Sequence, residues 1–309
     1  MKRREFIIKA LQELNRRLKY FNIKNSYVRD LADKEKNYYK LKRKFRKIIN
    51  NEYRSKKTQG NKEFSNIVWV CWLQGIKNSP DLVRACNNSL KMYFKNKKII
   101  ILTNNNYLDY VKIPDYIIKK YKKGYISFAH FSDLLRIELL TTYGGYWIDS
   151  TILMTSEQNI FNEKKTPLFV YKNIILDKKS DFSIVASNWL IYSCKDNIIL
   201  NFTKKLLYEY WRVYSYAIDY NIFHLFFKIA TEVYTDEWSM VPSYSNIPPH
   251  ILQFELKNKF NDKRFNSIKE MSCFHKLDHR ISTIDKDSNY YHIIKTYLGE
   301  RKWKKNWRK

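Results

Sequence analysis

Between residues 67 and 149 three apolar runs alternate with two amphipathic stretches, and few folds accommodate that order. The first run, residues 67–73 (IVWVCWL), has a buried-strand pattern and is ended by Gln74-Gly75. Ser79-Pro80 opens a helix through about Tyr93, with proline in the first turn, where a missing N–H is harmless. Residues 97–103 (KKIIILT) read as the second strand, followed by short helical pieces around Pro114. In residues 126–143, Phe128, Phe131, Leu135 and Leu139 fall on one helical face. Gly144-Gly145 stops that helix, and Tyr146-Trp147-Ile148 is a short strand running into Asp149. Strand, helix, strand, helix, strand implies an α/β fold with a mostly parallel sheet flanked by helices. Ligands of such sheets bind outside the carboxyl ends of the strands. Gln74-Gly75, residues 103–106 and residues 149–151 all fall at those ends, which makes Thr103 a candidate ligand contact.

Residues 1–60 read as a different unit. Ile7, Leu11, Leu14, Leu18 and Phe21 share a helix face, and Leu41, Phe45 and Ile48 repeat the spacing. Two helices broken near residues 22–27 are expected. They could pair with each other, lie on the main domain, or lie on a bilayer. Residues 55–63 read as a linker. The expected division is a basic helical extension, residues 1–62, and a second domain, residues 63–309, with a basic tail. Beyond residue 152 strands are expected at 168–173 and 182–186, and helices at 197–212 and 218–234. Residues 236–294, with Pro242, Pro248 and Pro249, read as irregular.

Charge narrows the partners. Lys and Arg number 58 against 30 Asp and Glu, a formal +28. Residues 1–60 hold 20 Lys/Arg against 6 Asp/Glu, a net +14 and half of the total. The last nine residues, RKWKKNWRK, add six bases and two tryptophans. Cations interleaved with Trp suit an anionic membrane surface, so residues 1–60 and the tail are expected to meet one. Compositional drift toward Lys is the bland alternative. Nucleic acid is the rival partner, and it is not expected because it leaves the central motifs unexplained. The apolar runs fall far short of the roughly 20 residues that span a bilayer. Neither a signal peptide nor a CxxC pair is visible, and Cys71, Cys86, Cys194 and Cys273 are scattered. The expectation is a cytoplasmic protein, peripheral on the inner face of the cell membrane.

The chemistry is concentrated in Ser132-Asp133-Leu134-Leu135-Arg136 and in the stretch from Tyr143 through Gly144-Gly145 to Asp149 and Thr151. Asp133 and Arg136 are i and i+3 and share a helix face. Asp149 is delivered at a strand end. Carboxylates there can hold hydroxyls or a hard cation, and Arg can hold phosphate, so the set suits a polar phosphate-bearing ligand. The bland readings are a surface ion pair for Asp133 and Arg136, and core packing for Trp72, which alternates with Val70.

This block resembles the DXD-containing sugar-binding region of glycosyltransferase family 32, and more closely the bacterial capsular polysaccharide synthesis protein family. Residues 68–75 (VWVCWLQG), the helix start at Pro80, residues 131–151 (FSDLLRIELLTTYGGYWIDST), residues 187–193 (SNWLIYS) and residues 275–277 (HKL) match in order. The resemblance covers about residues 65–280. It implies a GT-A-like, Rossmann-type fold that moves a sugar from a nucleotide-sugar donor, most often a UDP-sugar. The acceptor implied is a glycan or lipid-linked glycan in capsular or other surface polysaccharide synthesis, with retention of configuration. Carried over, Trp72, Gln74 and Gly75 would line the nucleotide pocket. Asp133 and Arg136 would bind donor sugar hydroxyls and, with Asp149 at the first DXD position, form the catalytic set. Gly145 and Thr151 would also belong to the donor- and nucleotide-binding residues. His275 and Lys276 would meet the diphosphate, and Asn188, Trp189 and His250 are candidates for sugar or acceptor contacts.

One departure matters. Thr151 stands where the second DXD carboxylate would be, and a neutral oxygen is a much weaker ligand for a divalent cation. Two routes stay open. Either Asp149 holds Mg or Mn with help from His275, or Lys and Arg replace the metal in neutralising the leaving diphosphate. The same departure keeps a non-catalytic nucleotide- or glycan-binding scaffold as an alternative, and the acceptor could be a protein.

Overall fold

Ile67–Cys71 (β1) is apolar along its whole length because both faces of its sheet are covered. The structure, a computed structural model, describes residues 26–299 apart from 61, 158–159, 162–165, 174–182 and 282–283, together with residues 10, 13 and 17. Helices α1 (Ser26–Lys44) and α2 (Arg46–Arg54) precede β1, and α3 (Asp81–Tyr93) joins it to β2 (Lys98–Leu102). Then come α4 (Asp115–Lys122), α5 (Phe128–Tyr143), β3 (Gly145–Ile148), β4 (Ile152–Met154), β5 (Leu168–Lys172) and β6 (Ala186–Ser193). Helices α6 (Ile198–Val213), α7 (Ile222–Val233) and α8 (Thr235–Ser239) lead to β7 (Tyr244–Ser245). The described chain ends with α9 (Ile247–Phe254), α10 (Asp262–Met271), β8 (Phe274–Lys276) and α11 (Asn289–Leu298).

The main sheet has the order β2-β1-β3-β6-β5-β7. Strands β2, β1 and β3 are parallel, as the strand–helix alternation requires, and β7 is parallel to β5. Strand β6 runs antiparallel to both β3 and β5. Successive side chains of a strand point to opposite faces. Trp69, Trp147 and Ile191 therefore meet α5, α6 and α7 in one cluster. Val68, Val70, Tyr146, Ile148 and Tyr192 meet Leu90, Phe94 and Phe274 on the other face. Helix α5 is buried almost all round, from His130 to Thr141, because it lies between the sheet and α6.

Of the three placements open for the N-terminal helices, the structure selects docking on the main domain. Residues 56–60 and 62–66 run without helix or strand, yet Tyr38, Leu41, Phe45 and Ile49 join the cluster of Trp69 and Phe131. Phe45 meets Phe226 of α7 edge-on, with centroids 5.4 Å apart. Glu232 of α7 accepts hydrogen bonds from Tyr38 (2.6 Å) and Lys42. The expected helix over residues 7–21 lies mostly, and the tail at residues 301–309 wholly, outside the described residues.

Residues 236–294 are not irregular, which corrects the sequence reading. Pro248 and Pro249 sit in the first turn of α9 and start that helix instead of breaking it. Apolar positions scattered over α9, α10, α11 and the residue after β8 converge with Leu82, Ala85 and Cys86 of α3 in a third cluster, which includes Leu252, Ile268, Leu277 and Ile293. The strand expected at 182–186 begins only at Ala186 and runs to Ser193. None of the described helices is long and apolar enough to cross a membrane.

Gly145 shows how tightly β3 is set. Its φ is +90°, and a Cβ there would lie 2.3 Å from the Ile67 carbonyl oxygen of β1. Both the conformation and the close approach exclude a side chain. Gly145→Ala is expected to lower stability by about 3 kcal/mol or more, read as a fall in the denaturation midpoint at unchanged slope.

Candidate functional site

Two strand ends and one strand start share an edge of the sheet and open on a cleft of about 440 Å³. Cys71, Trp72, Leu73 and Gln74 come from the end of β1. The Trp72 amide donates to the Leu102 carbonyl (3.0 Å), so pairing with β2 continues past the strand. Gly75, at φ +86°, then closes a turn by donating its amide to the Trp72 carbonyl (2.9 Å). Asp149, Ser150 and Thr151 come from the end of β3. The Asp149 amide donates to the Trp189 carbonyl (2.8 Å) and the Ile152 amide to the Asp149 carbonyl (2.9 Å), so the chain turns at the sheet edge. Because β6 is antiparallel, its start lies at the same edge and brings Asn188. The last wall is residues 276–280, carried by the small antiparallel sheet of β4 and β8.

Charged groups line the floor. Arg136, on α5 and only 3% exposed, donates from one terminal nitrogen to Asp133 and from the other to Asp149 Oδ1 (3.2 Å). Its guanidinium also lies over the Trp147 ring, 4.7 Å from the centroid. The Trp147 indole donates to Asp149 Oδ1 (2.9 Å). Lys276 Nζ donates to Asp149 Oδ2 (3.1 Å) and to Thr151 Oγ1 (2.7 Å). Asn188 donates to Asp133 Oδ1 (3.0 Å).

The two carboxylates are driven apart. Burial pushes the Asp133 carboxyl above the ordinary range, and Arg136 only partly opposes it. Burial acts on Asp149 too, but Lys276 and Arg136, with the Trp147 hydrogen bond, overcome it and hold that carboxyl below the usual range. Asp149 is thus the more acidic of the two.

The expected site residues divide. Trp72, Gln74, Asp133, Arg136, Asp149, Thr151, Asn188 and Lys276 line the cleft together. Trp72 is a wall of the cleft and not core, because the strand has ended before it; His279 meets it edge-on at 5.3 Å. Gly75 and Gly145 shape the turn and the strand and do not line the cleft. Thr103 is outside it, in a turn where its amide donates to Asn106 Oδ1 (2.7 Å). His275 is wholly buried and bonded through Nε2 to Thr155 Oγ1 (3.1 Å). The period of two along β8 turns it away from the cleft as it turns Lys276 toward it. Trp189 likewise points away from Asn188, stacked on Tyr171 at 4.9 Å. His250 meets Trp189 edge-on, and its Nδ1 bonds the Asn246 carbonyl (2.6 Å), outside the cleft.

Other lining residues were not legible. Tyr220, His224, Gln253, Asp278, His279 and Arg280 all reach the cleft, beside Ser132 of the motif already singled out. His224 is neutral at ordinary pH, since burial and then the Arg136 and Lys34 charges push it down to about 3. Its Nδ1 is buried without a partner among the described residues. Its neighbour Phe223 packs on the Arg136 guanidinium, 5.5 Å from the ring centroid, but from sequence the aromatic run 223–227 reads as core.

Donors for a divalent cation are sparse. Among the described residues no three His, Cys, Asp or Glu converge on one point. The oxygens nearest the expected position, on Asp149 and Thr151, already face the Lys276 ammonium.

A family model described as capsular polysaccharide synthesis protein matches residues 17–295, which takes in α1 and α2 as well as the cleft. A solved structure titled "PaToxG Glycosyltransferase" is 15% identical, with 84% of this chain and 96% of that chain covered and a TM-score of 0.39. No curated protein matches the chain.

The burial of His275 has a pH consequence. Burial lowers it from 6.5 to about 4. Between those values the unfolded chain binds the extra proton and the folded chain does not, so stability falls as pH falls. The slope expected from one such group is about 1.4 kcal/mol per pH unit. His275→Gln is expected to flatten the loss of stability between pH 6.5 and 4, measured by denaturant titration at each pH.

Proposed function

Because the chain belongs to the capsular polysaccharide synthesis protein family, we propose that it is a glycosyltransferase acting on a nucleotide-sugar donor. The observation that carries this reading is the partly buried network of Asp133, Arg136, Asp149 and Lys276 at the strand ends, facing the Trp72–His279 wall. Carboxylates and Asn188 suit the hydroxyls of the donor sugar. Lys276, with Arg280 and His279 on the same segment, suits the diphosphate. Trp72 offers a ring for the base. Uridine diphosphate is the nucleotide we favour, from the resemblance of the motifs.

In the reaction, the bond between the anomeric carbon and the diphosphate oxygen breaks. The acceptor hydroxyl oxygen bonds to that carbon, and the hydroxyl proton passes to the departing diphosphate. Neither Asp133 nor Asp149 is free to attack from the opposite face, because both are held by cations. Retention is our reading from the resemblance of the motifs, and among retaining routes this arrangement favours the front-face one. The protein then works by positioning and by electrostatic stabilisation of the leaving group.

We further propose a lipid-linked glycan acceptor at an anionic membrane surface. Lys40, Arg43, Lys44 and Arg46, with Tyr214, line a basic concavity on the N-terminal helices. Basic residues near such a surface contribute about 1 kcal/mol each. Replacing all four with Ala is expected to weaken binding to phosphatidylserine vesicles by roughly 1000-fold, measured by flotation. Unchanged flotation would remove the membrane reading.

For the transferase reading, a nucleotide panel is scored by thermal shift and by donor turnover. A ligand at 100 times its dissociation constant adds about 2.7 kcal/mol of stability. Asp149→Ala is expected to fold and to lose at least roughly 100-fold in transfer. Nucleotide binding with no turnover by the wild type would favour the scaffold reading.

A further inference from the structure

A bound diphosphate brings negative charge that the cleft must neutralise, and a positive group has to be at hand to do so. Among the described residues three carboxylates line the cleft, and each already holds a cation. Arg136 bonds Asp133, Arg136 (3.2 Å) and Lys276 (3.1 Å) bond Asp149, and Arg280 bonds Asp278 (3.1 and 3.3 Å). His275, the nitrogen ligand expected from sequence, is turned into the core.

Lys276 Nζ lies against Asp149 Oδ2 and Thr151 Oγ1, the side chains at the first and third positions of the Asp149-Ser150-Thr151 turn. A divalent cation on this turn would need those same oxygens at about 2.0–2.6 Å. It would then sit beside both an ammonium and a guanidinium, with one carboxylate to hold it. The charge count points the same way. Two carboxylates and a divalent cation sum to zero, and so do one carboxylate, a threonine and an ammonium.

The ammonium is also firmly placed. The Leu277 amide donates to the Thr151 carbonyl (3.0 Å), and Lys276 pairs with Ile152 across β4 and β8. An ammonium has three donors. Two are engaged by Asp149 and Thr151, and the third is available to a phosphate oxygen.

Building on the nucleotide-sugar reading of the cleft, we propose that the Lys276 ammonium takes the place of a divalent cation there, so that the chain binds the donor diphosphate, and releases it as leaving group, without metal.

The test is calorimetric titration of the full chain with UDP, GDP, ADP and CDP, in EDTA and then with MnCl2. In the wild type the nucleotide that binds is expected to do so with a dissociation constant unchanged within about 3-fold by Mn. Lys276→Ala is expected to weaken that binding in EDTA by roughly 10- to 100-fold, and Lys276→Arg to retain most of it. With the ammonium gone, Mn is expected to recover part of the affinity of Lys276→Ala. A tenfold or greater gain when Mn is added to the wild type would overturn the assignment while leaving the transferase reading intact. That comparison stands even if Lys276→Ala fails to fold. No binding of any nucleotide, with or without Mn, would overturn both.

Discussion

A guanidinium hidden from water is costly unless its charge is matched, and Arg136 is almost wholly hidden. Asp133 on its own helix and Asp149 at the end of β3 supply the match. This one cation therefore ties the helix that crosses the sheet to the strand end where the chain turns. The Trp147 ring beneath it and the Trp147 indole on Asp149 fix the same corner. Around it the two carboxylates acquire different tendencies, Asp133 to hold a proton and Asp149 to lose one. A cleft that keeps one ionised carboxylate between two cations is already set up electrostatically before any ligand arrives.

The second dependence is on the small sheet of β4 and β8. It is short, but it carries residues 276–280 across to the end of β3 from more than a hundred residues away. Its alternation also decides which side chain of the His275-Lys276 pair meets the cleft. A shift of one residue in register would exchange a neutral, buried imidazole for the ammonium. Leu153 of β4 and Leu277, just past β8, are both buried in the third apolar cluster with α3, α9, α10 and α11. Apolar packing beside the cleft thus accompanies the strand pairing that places the ammonium inside it.

The N-terminal helices belong to the same economy of burial. Their basic exposed faces suggest an independent appendage, yet Tyr38, Leu41, Phe45 and Ile49 close the outer side of the α5–α7 layer. Glu232 and Glu52 anchor them through Lys42 and through Lys205 and Tyr234 of the main domain. The basic surface is thus held in a fixed relation to the domain that carries the cleft.

The amino-acid sequence by itself determined the first half of the fold. Apolar runs, helical periodicity and the Gly144-Gly145 stop are local signals, and β1, α3, β2, α5 and β3 arise from them. It also determined the central set Asp133, Arg136 and Asp149, because helix spacing and a strand end are local geometry. Tertiary structure alone decided the rest. Asn188 reaches Asp133 only because β6 runs antiparallel beside β3, and Lys276 reaches Asp149 only through β8. Composition could not show that Pro248 and Pro249 begin a helix, since proline marks a helix start and a loop alike. Nor could it separate His275 from Lys276 or single out His224. Which of two adjacent side chains meets a cleft depends on strand register, and register is set by partners distant in the chain.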